Sequence, residues 1–185
     1  MSMHKFVVFL RGINVGGKNK VAMAELKTCL EKLGFQNVST YIASGNVILQ
    51  SDKPVSIVKE IIEEELPKSF KLDSKLIKVL VLSLKQLQEI VDTKPSGFGE
   101  HPDKFHSDVI FLMDIDVTEA LKVFNPKEGV DRIWPGKQVV YSQRLSELRT
   151  KSRLSKIVGT PAYKSMTIRT WGTTTKLLDL LKAVK

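Results

Sequence analysis

The chain reads as an α+β protein built from two ferredoxin-like (βαββαβ) modules packed together, with a linking helix between them and a further helix at the C-terminus. Three observations predict this. Apolar strand-like runs and amphipathic stretches follow one another in the order strand, helix, strand, strand, helix, strand. The same order recurs in the second half. A loop rich in Pro, Gly and polar residues, TKPSGFGEHPDK, separates the two rounds. The division is therefore 1–93 for the first module, 94–105 for the linker and 106–185 for the second module. No residue-level repeat relates the halves, so the duplication is inferred from element order alone.

The elements can be justified in turn. His4 to Leu10 is apolar at nearly every position, the pattern of a strand covered on both faces. Ala22 to Leu33 sets Met23, Leu26, Cys29, Leu30 and Leu33 on one helical stripe. Val38 to Ile42 and Val47 to Gln50 are short strand patterns around a Ser-Gly-Asn turn. Val55 to Leu66 reads as a helix and Ile77 to Leu82 as a strand. The linking helix, Leu84 to Val91, opens on Ser83 with Gln86 three residues later, the spacing of a capping box. The second round comprises Asp108 to Met113, a helix from Thr118 to Phe124, Val130 to Trp134, Gln138 to Ser142, a helix from Ser152 to Val158, and Met166 to Thr170. Thr174 to Val184 is the closing helix. Asp116, three residues before Glu119, reads as a helix cap rather than a metal ligand.

Composition bounds the function. At 185 residues and 42% hydrophobic the chain is ordinary globular material, able to bury roughly 70% of its unfolded surface. Its longest apolar runs, Val79 to Leu82 and Val109 to Met113, fall far short of the roughly 20 residues of a membrane span. The N-terminus lacks a signal core. These features predict a cytoplasmic protein with no membrane partner. The single cysteine, Cys29, shares the first helix's apolar stripe and reads as a buried structural thiol. The net charge is +9, and residues 144–185 carry +8 of it, ten cationic against two acidic side chains. Such asymmetry favours an anionic partner, nucleic acid or a phosphorylated ligand. Solubility alone is the competing explanation.

The segment RGINVGGKNK, Arg11 to Lys20, carries the densest chemical signal. It lies between a strand and a helix pattern, and its glycines free backbone N–H groups to converge on one point. This predicts an anion cradle formed by Arg11, Gly12, Asn14, Gly16, Gly17, Lys18, Asn19 and Lys20. In a βαββαβ sheet the first and second strands run parallel, which brings this loop beside Ser44, Gly45 and Asn46 and makes them candidates to complete the pocket. Ser, Gly and Asn also suit any tight hairpin. A second candidate surface lies near the C-terminus, where Arg149, Lys151, Arg153, Lys156, Lys164 and Arg169 are interleaved with Tyr163 and Trp171. A solvated basic face beside a core tryptophan would look the same.

Three stretches carry a family resemblance: RGINVGGKNKVAMAELKTCLEKLGF, TYIASGNVIL, and SRLSKIVG with TIRTWGTTTKLLDL. In order and over essentially the whole chain, they resemble the domain-of-unknown-function 1697 family of small, mainly bacterial proteins. That family's last motif usually reads TxRNWxT, so Thr170 here replaces the Asn. The resemblance implies a two-part α+β fold of ferredoxin-like units and implies no activity.

Other chemistries fit less well. Gly12, Gly17 and Lys18 match the start of a phosphate-binding loop, but Asn19 stands where Ser or Thr should reach Mg²⁺, and that site belongs to a parallel sheet. His4, His101 and His106 have no ligand spacing, and one cysteine makes no zinc site. Neither a cofactor nor a metal is expected. Two readings remain. One is a non-enzymatic module binding phosphate-bearing ligands, nucleic acid among them; the other is an enzyme acting on a small anionic metabolite between the loop and the Ser44–Asn46 turn. A purely architectural loop, with Arg11 tying it down, competes with both.

Overall fold

Residues 2–73 and 77–185 are described by the structure, a computed structural model. The chain divides into two compact units, Met1–Gln88 with Leu177–Lys185, and Glu89–Lys176. Each unit is organised around its own four-stranded sheet.

In the first unit the elements are β1 (His4–Arg11), α1 (Met23–Lys32), β2 (Gln36–Tyr41), β3 (Asn46–Ser51), α2 (Val55–Ser69) and β4 (Lys78–Ser83). The sheet order is β2-β3-β1-β4 with every neighbouring pair antiparallel. Alternation along β1 sends Phe6, Val8 and Leu10 into a core shared with Leu26 and Leu30 of α1 and Val58, Ile62 and Leu66 of α2. Val7 and Phe9 point the other way and are equally buried. The end of the chain is tied to this second face: Lys5 Nζ donates to the Val184 carbonyl, and Gln50 Nε2 donates to that of Lys185 at 3.1 Å. Both faces of β1 are covered, as its unbroken apolar run required.

α3 (Leu84–Asp92) starts on the anticipated capping box. Ser83 N–H donates to Gln86 Oε1 at 2.9 Å, and Gln86 N–H donates to Ser83 Oγ at 3.2 Å. The second unit holds β5 (Phe105–Leu112), α4 (Val117–Leu121), β6 (Asp131–Pro135), β7 (Val139–Leu145) and β8 (Met166–Thr170). Its sheet order is β6-β7-β5-β8, again antiparallel throughout. Asp116 caps α4 by accepting the Glu119 N–H at 2.8 Å.

The second unit departs from the sequence reading in three ways. The helix expected over Ser152–Val158 is replaced by three short 3₁₀ turns, Ser146–Lys151, Leu154–Gly159 and Pro161–Ser165. Side chains capture the backbone every few residues: Asp131 Oδ2 accepts Arg153 N–H at 2.8 Å, and Ser152 Oγ accepts Leu154 N–H at 3.2 Å. Thr160 Oγ1 donates to the Ile157 carbonyl at 2.7 Å, and Pro161 follows. Each capture competes with a continuous helical ladder. Leu154 and Ile157 nevertheless reach the core beside Ile110, Leu112 and Val140.

The segment read as a linker, 94–105, instead contributes a core residue. Phe98 is fully buried, with its ring 6.0 Å from Trp134, 5.1 Å from Tyr141 and 5.2 Å from Trp171, all edge-on. Finally, the closing helix α5 (Trp171–Ala183) is shared, its last turns grouping with the first unit rather than the second. Among the described residues no helix is long and apolar enough to cross a membrane.

Candidate functional site

The loop after β1 is knitted from its own polar groups. Gly12, Asn14, Gly16, Gly17 and Asn19 all have positive φ, between 48° and 86°, a region that glycine and asparagine tolerate best. Asn14 holds the loop at three points. Its Nδ2 donates to the Val21 and Ala43 carbonyls, both at 2.9 Å, and its Oδ1 accepts the Val21 N–H at 2.9 Å. Asn19 Nδ2 donates to the Gly12 carbonyl at 2.8 Å, and Asn14 N–H donates to the Asn19 carbonyl at 3.0 Å. Lys18 N–H closes a tight turn on Val15, with Gly16 and Gly17 at its centre.

Part of the expected cradle is thereby used internally. The amides of Asn14, Lys18, Asn19 and Val21 are engaged by the protein itself. Asn19 N–H donates to Asp73 Oδ2 at 2.7 Å, so a carboxylate of the chain already occupies one position assigned to a guest anion. Asn14 and Asn19 therefore act as braces. Gly16, Gly17, Lys18 and Lys20 remain exposed at the tip, while Arg11 is half-buried.

The Ser44–Asn46 turn does adjoin this loop, as the strand directions required. Leu10 N–H donates to the Gly45 carbonyl at 2.8 Å, and Asn14 reaches Ala43. The two segments are in direct contact. A Cβ on Gly45 would sit 2.9 Å from Ile13 Cδ1 and 3.0 Å from the Leu10 carbonyl oxygen. Ile13 fills the space. Asn46 is fully buried and donates to the Tyr41 carbonyl and Ser44 Oγ, so it too fixes the turn.

The C-terminal cations separate into two groups. Arg149, Lys151, Arg153, Lys156 and Lys164 are exposed along the three 3₁₀ turns. Arg169 does not belong to that surface: it is only 8% exposed, and its Nη1 donates to Thr167 Oγ1 and the Ile168 carbonyl. Burial lowers its pKa to about 10. Trp171 is likewise turned into the protein against Phe98, and a Cβ on Gly99 would meet its indole at 2.3 Å. Alternation along β8 and the aromatic cluster, invisible in a charge count, decide both placements.

One polar cluster escaped the sequence reading. His106 and Asp108 lie two apart on β5 and so share a face, with His106 Nε2 3.0 Å from Asp108 Oδ1. Arg144, the cross-strand partner of His106, approaches Asp108 Oδ2 at 4.0 Å. The i, i+2 spacing within a strand was the available signal. Burial raises the Asp108 pKa above its ordinary 3.8, against the opposing pull of His106 and Arg144. A carboxyl raised in this way contributes stability that is complete below the unfolded pKa and lost as pH rises through the folded one. Asp108→Asn is accordingly expected to raise the melting temperature at pH 7, with the advantage shrinking toward pH 3.8. A fall at pH 7 would mean the contacts with His106 and Arg144 outweigh desolvation. Among the described residues no group of three His, Cys, Asp or Glu side chains could hold a metal ion.

The chain is similar to the conserved bacterial protein SP0830 from Streptococcus pneumoniae, at 28% identity and a TM-score of 0.83, with 97% of this chain and 99% of that one covered. No curated protein matches it. The sequence pattern of a family described as "Protein of unknown function (DUF1697)" matches residues 3–141. Three quarters of the chain thus fall within that pattern, and the protein belongs to the DUF1697 family.

Proposed function

We propose that this protein binds phosphate-bearing polyanions, nucleic acid among them, without acting on them chemically. One observation carries the reading: five exposed cations, Arg149, Lys151, Arg153, Lys156 and Lys164, on a twenty-residue run of 3₁₀ turns whose one acidic residue is Glu147. Short turns punctuated by Ser, Thr and Pro fan these side chains over one stretch of surface, where their fields add. The nearby aromatics are otherwise engaged, Tyr163 against the core and Trp171 against Phe98. Recognition by this surface is therefore of phosphate charge rather than base identity. Lys18 and Lys20 add two cations on the exposed tip of the first unit.

We also infer that each unit is a ferredoxin-like module. The sheet orders β2-β3-β1-β4 and β6-β7-β5-β8 support this, the second module having exchanged its second helix for 3₁₀ turns. Cytoplasmic residence fits the single Cys29.

Fluorescence anisotropy with a labelled duplex tests the binding. If all five cations neutralise phosphates, the slope of log affinity against log salt is about −4.5, a loss of roughly 500-fold between about 50 and 200 mM. Lys151→Ala should reduce that slope by about 0.9. Absence of binding at the lower salt overturns the proposal.

A further inference from the structure

At one end of the second sheet lies a cleft of about 330 Å³, on the face opposite His106 and Asp108. Strand register explains its walls. Phe105 of β5 is paired with Leu145 of β7, and Gln143, two residues along β7, is paired with Arg132 of β6, so alternation presents all four side chains on one face. Lys104 and Glu147 close the rim. The cleft stands at the small end of the range that organic ligands occupy.

Its chemistry is heterogeneous in an ordered way. The Phe105 ring draws two cations toward it, Lys104 Nζ at 5.3 Å from the ring centroid and the Arg132 guanidinium carbon at 6.0 Å. Two positive charges are thus held over an aromatic wall, and Arg132 retains a planar fork of donors suited to phosphate. Gln143 is 1% exposed, and its Nε2 donates to Ser107 Oγ at 3.0 Å and the Gly97 carbonyl at 3.4 Å. This fixes the amide and leaves its carbonyl Oε1 as the acceptor. Glu147 supplies a second acceptor on the rim. The lining therefore calls for an anionic group, a flat apolar portion and an N–H donor within one small molecule.

We propose that this cleft binds a nucleotide. The phosphate lies between Lys104 and Arg132, the base lies along Phe105 and Leu145, and an N–H of the base donates toward Gln143 Oε1 or Glu147. The inference rests on the polyanion reading for its choice of phosphate as the anion. It adds what the exposed 3₁₀ turns lack, a place for a base. Glu147 is the second residue of the first of those turns, Ser146–Lys151, so the cleft adjoins the surface carrying Arg149 and Lys151. A single strand whose phosphates follow the turns could lodge one nucleotide here.

Isothermal titration of the intact protein with adenosine 5′-monophosphate, adenosine and inorganic phosphate tests this directly. The nucleotide is expected to bind at least about tenfold more tightly than either half. Arg132→Gln, a change at an exposed position, should weaken the nucleotide by about tenfold and leave adenosine unchanged. Phe105→Leu should weaken both nucleotide and adenosine while sparing phosphate. Equal affinity for phosphate and nucleotide, or no effect of Arg132→Gln, overturns the proposal. The two proposals fail separately. A triple alanine variant at Arg149, Lys151 and Arg153 should lose duplex binding and keep the nucleotide. Nucleotide binding without duplex binding in the unaltered protein would remove the polyanion reading and leave the cleft standing.

Discussion

Phe98→Ala is expected to lower the unfolding free energy of the second unit by about 4 kcal/mol, the middle of the range for truncating a buried aromatic residue. The side chain is fully buried, and its ring makes edge-on contacts with Trp134, Tyr141 and Trp171 at 5.1 to 6.0 Å. Each such pair contributes beyond its buried area. The cavity left behind would be walled by large rings, which cannot collapse into it without leaving their own packing. Tyr141 is further constrained, because its hydroxyl donates to the Ile90 carbonyl at 2.6 Å. Urea unfolding followed by tryptophan fluorescence is the natural measurement, since both tryptophans of the chain touch Phe98. A loss below about 1 kcal/mol, in the range of surface changes, would show that 94–105 is the loosely attached linker its composition suggested.

Asn14→Ala is expected to cost about 3 kcal/mol, from three hydrogen bonds at roughly 1 kcal/mol each, with added strain from alanine at positive φ. The bonds run to Val21 on one side and Ala43 on the other, so the change frees the loop from both α1's approach and the β2–β3 turn. Val21 is itself buried, and its N–H would lose its acceptor. Amide hydrogen exchange at Val21 should accelerate in step with the loss of stability. Asn14→Asp keeps the acceptor but sets a carboxylate oxygen against the Val21 and Ala43 carbonyls, so it should cost at least as much as alanine. Lys18→Ala, at the exposed tip, should change stability by no more than about 0.5 kcal/mol. If Asn14→Ala proves as mild as Lys18→Ala, the bracing role assigned to the asparagine is wrong.

These two residues mark the boundary between what the chain dictates locally and what folding supplies. Sequence alone determined the strand order, every helix except the one expected over 152–158, the double coverage of β1, the Ser83–Gln86 capping box and the Asp116 cap, because each depends on residues close to one another along the chain. Strand order also implied that the β1 loop meets the β2–β3 turn, and it does. Tertiary structure decided the rest. Asn14 acquires its Ala43 partner 29 residues away, and Asn19 meets Asp73 54 residues away. Arg169 is buried by its position on β8, and Phe98 leaves a glycine-rich loop to enter a ring cluster assembled from three distant segments. A glycine-rich basic loop looks alike on paper whether its amides await an anion or already hold carbonyls. At Asn14 and Asn19 the acceptors belong to the protein, and they are brought within reach only when the chain folds.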